Sequence, residues 1–215
     1  MVKKPRHEKN LWVVEQRTLW GDYGSVLIAG YARREADGAP LALHRTGPFL
    51  PPLSFPWITN TGGHAVVVSA DFKQKLEALN LPGVAFREAA RARIVPLAWE
   101  KWDLTASEPS IYPEQGEPEN YVWEKKHDAA CAAKMGAAFE LVPPVGPVVI
   151  ERLEDPAGGY LDEFAARANA ADVPAIFRSH PTHGYVIVDD EMKAWLEKHA
   201  GAWVRFSRVW PARRR

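Results

Sequence analysis

Three groups of residues have the types that chemistry requires. His180-Pro-Thr-His183 sets two imidazoles three positions apart, and His64 stands at nearly the matching place in an earlier, similar stretch. Such imidazoles suit a metal or a general base, yet a metal site takes three or four ligands. No carboxylate or cysteine joins these at a recognised spacing, so they read as turn or strand-edge histidines. His127-Asp128-x-x-Cys131 would put a base and a thiol on one helix face. Cys131 lies among Ala129, Ala130, Ala132 and Ala133, however, a setting typical of a small buried hydrophobe. The acids scattered over residues 99–124 could include a general acid–base pair, but nothing in the sequence fixes their separation. The chain holds no phosphate-binding glycine loop, nucleophile elbow, H-E-x-x-H or C-x-x-C. No catalytic residue, metal ligand or cofactor is assigned.

The same 99–124 segment has a second reading. It carries Glu100, Asp103, Glu108, Glu114, Glu117, Glu119 and Glu124 against Lys101 alone, a net charge of −6. Interleaved are Trp99, Trp102, Tyr112, Tyr121 and Trp123, on a backbone stiffened by Pro109, Pro113 and Pro118. Aromatic rings supply buried area at an interface while charges steer and select the partner. Long irregular segments in compact domains are often functional. The candidate partner-binding residues are therefore Trp99, Trp102, Asp103, Tyr112, Glu114, Glu117, Glu119, Tyr121 and Trp123. The competing expectation is that the rings pack inward and the acids only keep the surface solvated.

The elements that must position these groups are dominated by one pattern written twice. Residues 66–86 (VVVSADFKQKLEALNLPGVAF) and 186–206 (VIVDDEMKAWLEKHAGAWVRF) align without a gap 120 positions apart, with 7 of 21 positions identical. Each copy opens on a β-branched run suited to a strand. Ser69 or Asp189 then offers a side-chain oxygen to a helix start, and acids follow in the first turn. Phe72, Leu76 and Leu79 fall at i, i+4 and i+7, as do Met192, Leu196 and His199. The helices are predicted to close near Pro82-Gly83 and at Gly201. Each copy reads as strand, helix, strand, and the pair as an internal duplication.

Elsewhere, residues 11–16 and 25–33 read as strands, the latter joined through a turn at 36–39 to a strand over 41–46. The four prolines of 47–57 forbid regular structure there. RIVPL (93–97) reads as a short edge strand because of Pro96, and 98–124 as loop. Residues 127–138 and 160–171 read as helices, the second with Leu161, Phe164, Ala165 and Ala168 on one face. Residues 147–153 and 174–179 read as strands. The expected class is α+β (mixed α/β). The chain is expected to be a single domain of two pseudo-repeated halves, about 1–97 and 145–215, joined by residues 98–144.

Composition excludes several classes. The 27 basic and 27 acidic residues cancel, so no global field draws the chain to nucleic acid or an anionic membrane. One cysteine excludes an intrachain disulfide framework, and no apolar run or leader-like core is present. A cytoplasmic protein is expected, with neither nucleic acid nor membrane as partner.

The arrangement VVVSADFK, helix, Leu-Pro-Gly-Val-x-Phe, its later version AIFRSHPTHGYVIVDDEMKAWLEKHAGAWVRF, and the intervening HDAACAAKMG resemble bacterial immunity proteins of polymorphic-toxin and secreted-effector systems. The resemblance is strongest over 174–209 and 64–88. It implies a non-enzymatic inhibitor that binds one cognate toxin domain in the cytoplasm and occludes its active site. The paired C-x-x-C-Gly motifs of one related subgroup are absent, so no metal role carries over. The alternative from another class is a small hydrolase or transferase with a site between the duplicated halves, lined by His64, His180 and His183. A scaffold module without a toxin partner is the third expectation.

Overall fold

The computed structural model describes residues 10–36, 39–148, 150–154, 160–166, 173–179 and 185–211. The chain runs β1 (Leu11–Gln16), α1 (Asp22–Ile28), β2 (Tyr31–Arg33), β3 (Ala42–Gly47), β4 (Leu53–Ser54), β5 (Trp57–Ile58), β6 (Val67–Ser69), α2 (Ala70–Glu77) and β7 (Ala85–Pro96). A 3-10 turn (Trp99–Lys101), α3 (Asn120–Trp123), α4 (Ala129–Met135) and β8 (Ala138–Val142) follow. The rest is β9 (Ile150–Glu154), β10 (Tyr160–Ala166), β11 (Ile176–Arg178), β12 (Val186–Asp189), α5 (Asp190–Ala200) and β13 (Val204–Pro211). The fold is α+β, with two mixed sheets ordered β4-β6-β8-β7-β3-β2-β5 and β11-β12-β1-β13-β10-β9.

Both strand-helix-strand units form where the sequence places them, for the expected local reasons. Ser69 Oγ accepts from Phe72 N at 3.3 Å, and Asp189 Oδ1 from Met192 N at 2.9 Å, each relieving an orphan donor of a helix start. Lys73 Nζ lies 2.6 Å from Glu77 and over the rings of Phe86 and Phe139. Lys193 Nζ lies 2.5 Å from Glu197 and over Trp12 and Phe206. The identities Lys73/Lys193, Glu77/Glu197 and Phe86/Phe206 thus each serve one contact set: a cation over two rings, tethered one turn along its helix. The second stripe lies wholly within α5, while the first is shorter than expected. Leu79 lies beyond α2 and is exposed, and Gly201 closes α5 with right-handed geometry, where a Cβ would stand 2.4 Å from Glu197 O.

The two sheets share more than these units. β5 apart, the series β4-β6-β8-β7-β3-β2 repeats, pair by pair, the parallel and antiparallel senses of β11-β12-β1-β13-β10-β9. Registers match as well. Ala138 faces Ser69 on one side and Ala89 on the other, as Leu11 faces Asp189 and Val209. The middle strand of each set comes from across the molecule. β8 lies in the first sheet although it falls in the expected joining segment, and β1 lies in the second sheet although it belongs to the expected first half. Both sheets give one face to a common core with α2 and α5, where the rings of Phe72 and Trp195 meet at 5.4 Å.

Several local expectations are corrected. Residues 25–28 belong to helix α1, not to a strand. Val26, Leu27 and Ile28 are all buried, and a fully buried apolar run has no periodicity to tell helix from strand. Gly30, at φ +69°, breaks the helix against β3, leaving only Tyr31–Arg33 to form the hairpin with Ala42–Gly47. The buried Arg45 secures this packing. Its Nη2 donates to Ile28 O (2.9 Å) and Phe49 O (3.4 Å), and Thr46 Oγ1 donates to Leu27 O, so helix-end carbonyls find partners. Residues 93–96 end the long strand β7, which is interior to its sheet. Pro96 is tolerated because the ladder stops there. Residues 160–166 are strand β10, not helix, since Phe164 is buried between partners β9 and β13; residues 167–171 of that expected helix lie outside the described residues. The expected helix over 127–138 holds as α4 but stops at Gly136 (φ 77°), and its tail begins β8.

Candidate functional site

The acidic segment is pinned from within. Trp99 is fully buried, set edge-on to Phe49 (5.6 Å) and Trp203 (5.8 Å). Tyr121 is buried too, and its hydroxyl donates to Ile111 O. Burial first, then Tyr23 and Tyr112, push the Tyr121 phenol up to about 12. Trp102 is half-buried against Trp20 at 5.8 Å. Asp103 accepts from Thr105 N (2.9 Å) and Thr105 Oγ1 (2.6 Å), closing a turn. Those bonds hold its carboxyl below the usual range. These contacts take Trp99 and Tyr121 out of the set of exposed anchors and make Asp103 a turn residue.

What stays outside is a narrower face. Ile111 is 53% exposed, Tyr112 47% and Trp123 39%. Tyr112 stands edge-on to Tyr23 at 5.0 Å and donates to Glu108 Oε2 at 3.1 Å, while Tyr23 OH donates to Gly116 O. Glu114 and Glu117 are exposed and Glu119 is half-buried. Trp123 caps a row the sequence does not announce. Trp57, Tyr31, His44 and Arg93 are successive register partners across β5, β2, β3 and β7 and so share one face. The Trp123 ring packs on Tyr31 (5.5 Å), His44 (5.1 Å) and the Arg93 guanidinium (5.6 Å). Burial, then Glu119 and Asp22, push the Tyr31 phenol up to about 12. Burial, then Arg93 and Arg33, hold the His44 imidazole below its ordinary value. Ile111 was legible as an apolar residue between Pro109 and Pro113; the cross-strand row needed the register.

A second feature is a cleft of about 480 Å³ between the two sheets. Glu15 and Gln16 enter it from β1, Arg205 from β13, Arg152 from β9, and Tyr185 from the approach to β12; the loop Trp57–His64 walls the opposite side. Gln16 joins the walls, donating to Trp203 O (2.7 Å) and accepting from Phe55 N (3.1 Å). Glu15 accepts from Ser207 Oγ at 2.8 Å and pairs with Arg205 at 3.5 Å. His64 Nδ1 stands 3.0 Å from Phe55 O, and its ring is edge-on to Trp57. His180 and His183 lie outside the described residues. Cys131 is buried and its thiol is pushed up by burial, then by Asp128, while Asp128 itself caps α4 by accepting from Cys131 N at 2.7 Å. The His127–Cys131 pair is thus divided: His127 Nδ1 accepts from Ile94 N at 3.0 Å. Among the described residues no group of three or more His, Cys, Asp or Glu is placed to hold a metal ion, and no helix is long and apolar enough to cross a membrane.

No protein-family model matches the chain, and no curated protein matches it either.

Proposed function

We propose that the protein is an immunity protein, a non-enzymatic inhibitor that binds a cognate bacterial toxin domain in the cytoplasm and blocks its active site. The observation that carries this reading is the acidic aromatic face of residues 108–123. Ile111, Tyr112 and Trp123 are exposed on a segment that also carries Glu108, Glu114 and Glu117, with Tyr112 bonded to Glu108, and the segment is anchored by Trp99 and Tyr121. A preorganised surface avoids much of the ordering entropy of binding. Exposed rings supply the anchors and the carboxylates draw in a basic active-site surface.

The test is co-expression of the chain with toxin domains encoded in the same cells, reading survival, followed by binding kinetics with the domain it protects against. Tyr112→Ala and Trp123→Ala should each weaken binding by about 2 kcal/mol, close to thirtyfold, mainly through faster dissociation. Replacing Glu114, Glu117 and Glu119 together by Gln should slow association and flatten its salt dependence. Protection that survives all five substitutions would place the contact elsewhere.

A further inference from the structure

A hollow of about 390 Å³, apart from the cleft between the sheets, opens between the first turn of α2 and the last turn of α5. Its floor is apolar, made by Phe49, Leu50, Phe72 and Met135, and Asp71, Lys75 and His199 stand on its rim. The gapless repeat shows which of these the fold needs. Asp71 matches Glu191, an acid that favours a helix start, whereas Lys75 and His199 match Trp195 and Leu79. At the corresponding end of α5 the place is closed: Asp190 accepts from Asn10 Nδ2 (3.1 Å) and from Trp12 Nε1 (2.8 Å). Ala70 and Ala137 take the places of Asp190 and Asn10 in the first unit, and both line the hollow. The strand-helix-strand unit therefore requires neither the opening nor its two basic side chains.

The rim groups are open to a ligand. Lys73–Glu77 and Lys193–Glu197, each one turn apart on its helix, close at 2.6 and 2.5 Å. Asp71 and Lys75 have the same spacing in the more favourable order, acid first. Yet among the described residues neither has an ion-pair or hydrogen-bond partner. The His199 ring lies against Trp195 at 4.5 Å, and among the described residues its two nitrogens have no hydrogen-bond partner. A carboxylate, an ammonium and an imidazole thus surround a floor in which Leu50, Phe72 and Met135 are buried. The ligand that complements all of these is a zwitterion with an apolar side chain. The volume is in the range of small-molecule sites.

We propose that this hollow binds a free apolar α-amino acid, its carboxylate held by Lys75 and His199, its ammonium by Asp71 and its side chain by Phe49, Phe72 and Met135. None of these groups belongs to the 108–123 face, so binding here and protection against a toxin are read separately. The full chain would be titrated with L-phenylalanine, L-leucine, 3-phenylpropanoate and phenethylamine while amide and imidazole resonances are followed. Saturable shifts centred on Asp71, Lys75, Gly136 and His199 are expected with at least one of the two amino acids. Phenylpropanoate and phenethylamine each lack one charge and should bind about tenfold more weakly. His199→Leu copies Leu79 of the other unit, so it should fold as the parent does while losing about tenfold in affinity. Asp71→Asn, at an exposed position, should weaken the amino acid by a similar factor and leave phenylpropanoate unchanged. Absence of saturable shifts with both amino acids, shifts centred elsewhere, equal binding of phenylpropanoate, or an affinity that Asp71→Asn leaves unchanged would overturn the assignment.

Discussion

Two buried or half-buried charges show how single residues govern this protein. Arg34 and Glu140 pair at 2.5 Å with little exposure, and Arg34 also donates to Ala39 O. The position of Glu140 in β8 corresponds to Val13 in β1, so the fold accommodates an apolar residue there. Glu140→Val alone strands a buried guanidinium and should cost about 3 kcal/mol in urea unfolding; adding Arg34→Met should restore most of it. A result in which the double variant is no better than the single would show that the pair contributes more than its own desolvation. His44 gives the pH dependence. Its folded pKa is depressed, by burial and then by Arg93 and Arg33, so below about 6.5 the unfolded chain binds a proton that the folded chain refuses. The stability from this group is full above that pH and declines as pH falls from 7 toward 5. His44→Gln should flatten that slope in urea midpoints, and an unaltered slope would assign the loss to other groups.

At the scale of elements, the helix starts and the anchored segment make separate demands. Ser69→Ala removes the oxygen that caps α2 and should lower stability by about 1 kcal/mol in thermal or urea unfolding. Trp99 is different in kind, because its ring fills the space between Phe49 and Trp203 and holds the start of the acidic segment. Trp99→Ala should cost about 4 kcal/mol through the cavity it leaves. Tyr112 faces water, and its replacement should leave stability nearly unchanged. Trp123 also packs on Tyr31, His44 and Arg93, so Trp123→Ala should cost about 1 to 2 kcal/mol of stability, and its binding loss is to be read on the folded protein. The loop over 99–124 was legible as irregular from its prolines and acids. The division of its rings between interior and surface was not, because ring type and spacing are the same for Trp99 and Trp123.

For the whole molecule, the crossed strands decide cooperativity. β1 lies between β12 and β13, and β8 lies between β6 and β7, so the second sheet is completed by a strand from the start of the described chain and the first by a strand from beyond the acidic segment. Val14 and Leu141 occupy corresponding positions in these strands and meet in the common core. Leu141→Ala should lower stability by about 3 kcal/mol and should reduce amide protection in β1 as much as in β8. Protection lost in β8 alone would mean that the two sheets open independently.

The sequence by itself determined the two strand-helix-strand units, their caps and the lysine-glutamate spacing, because those features are set by neighbours within a few residues along one helix or strand. It determined the α+β class on the same basis. Only the tertiary structure decided which strand completes each sheet, since strand pairing is made with residues distant in sequence that carry no local signal of their partner. That is also why 25–28 became helix and 160–166 strand: in both, burial among distant partners overrode a short local pattern. The cleft follows from the same cause. Glu15 and Arg205 lie 190 positions apart, and only the crossing of β1 into the far sheet brings them to face His64 and Trp57.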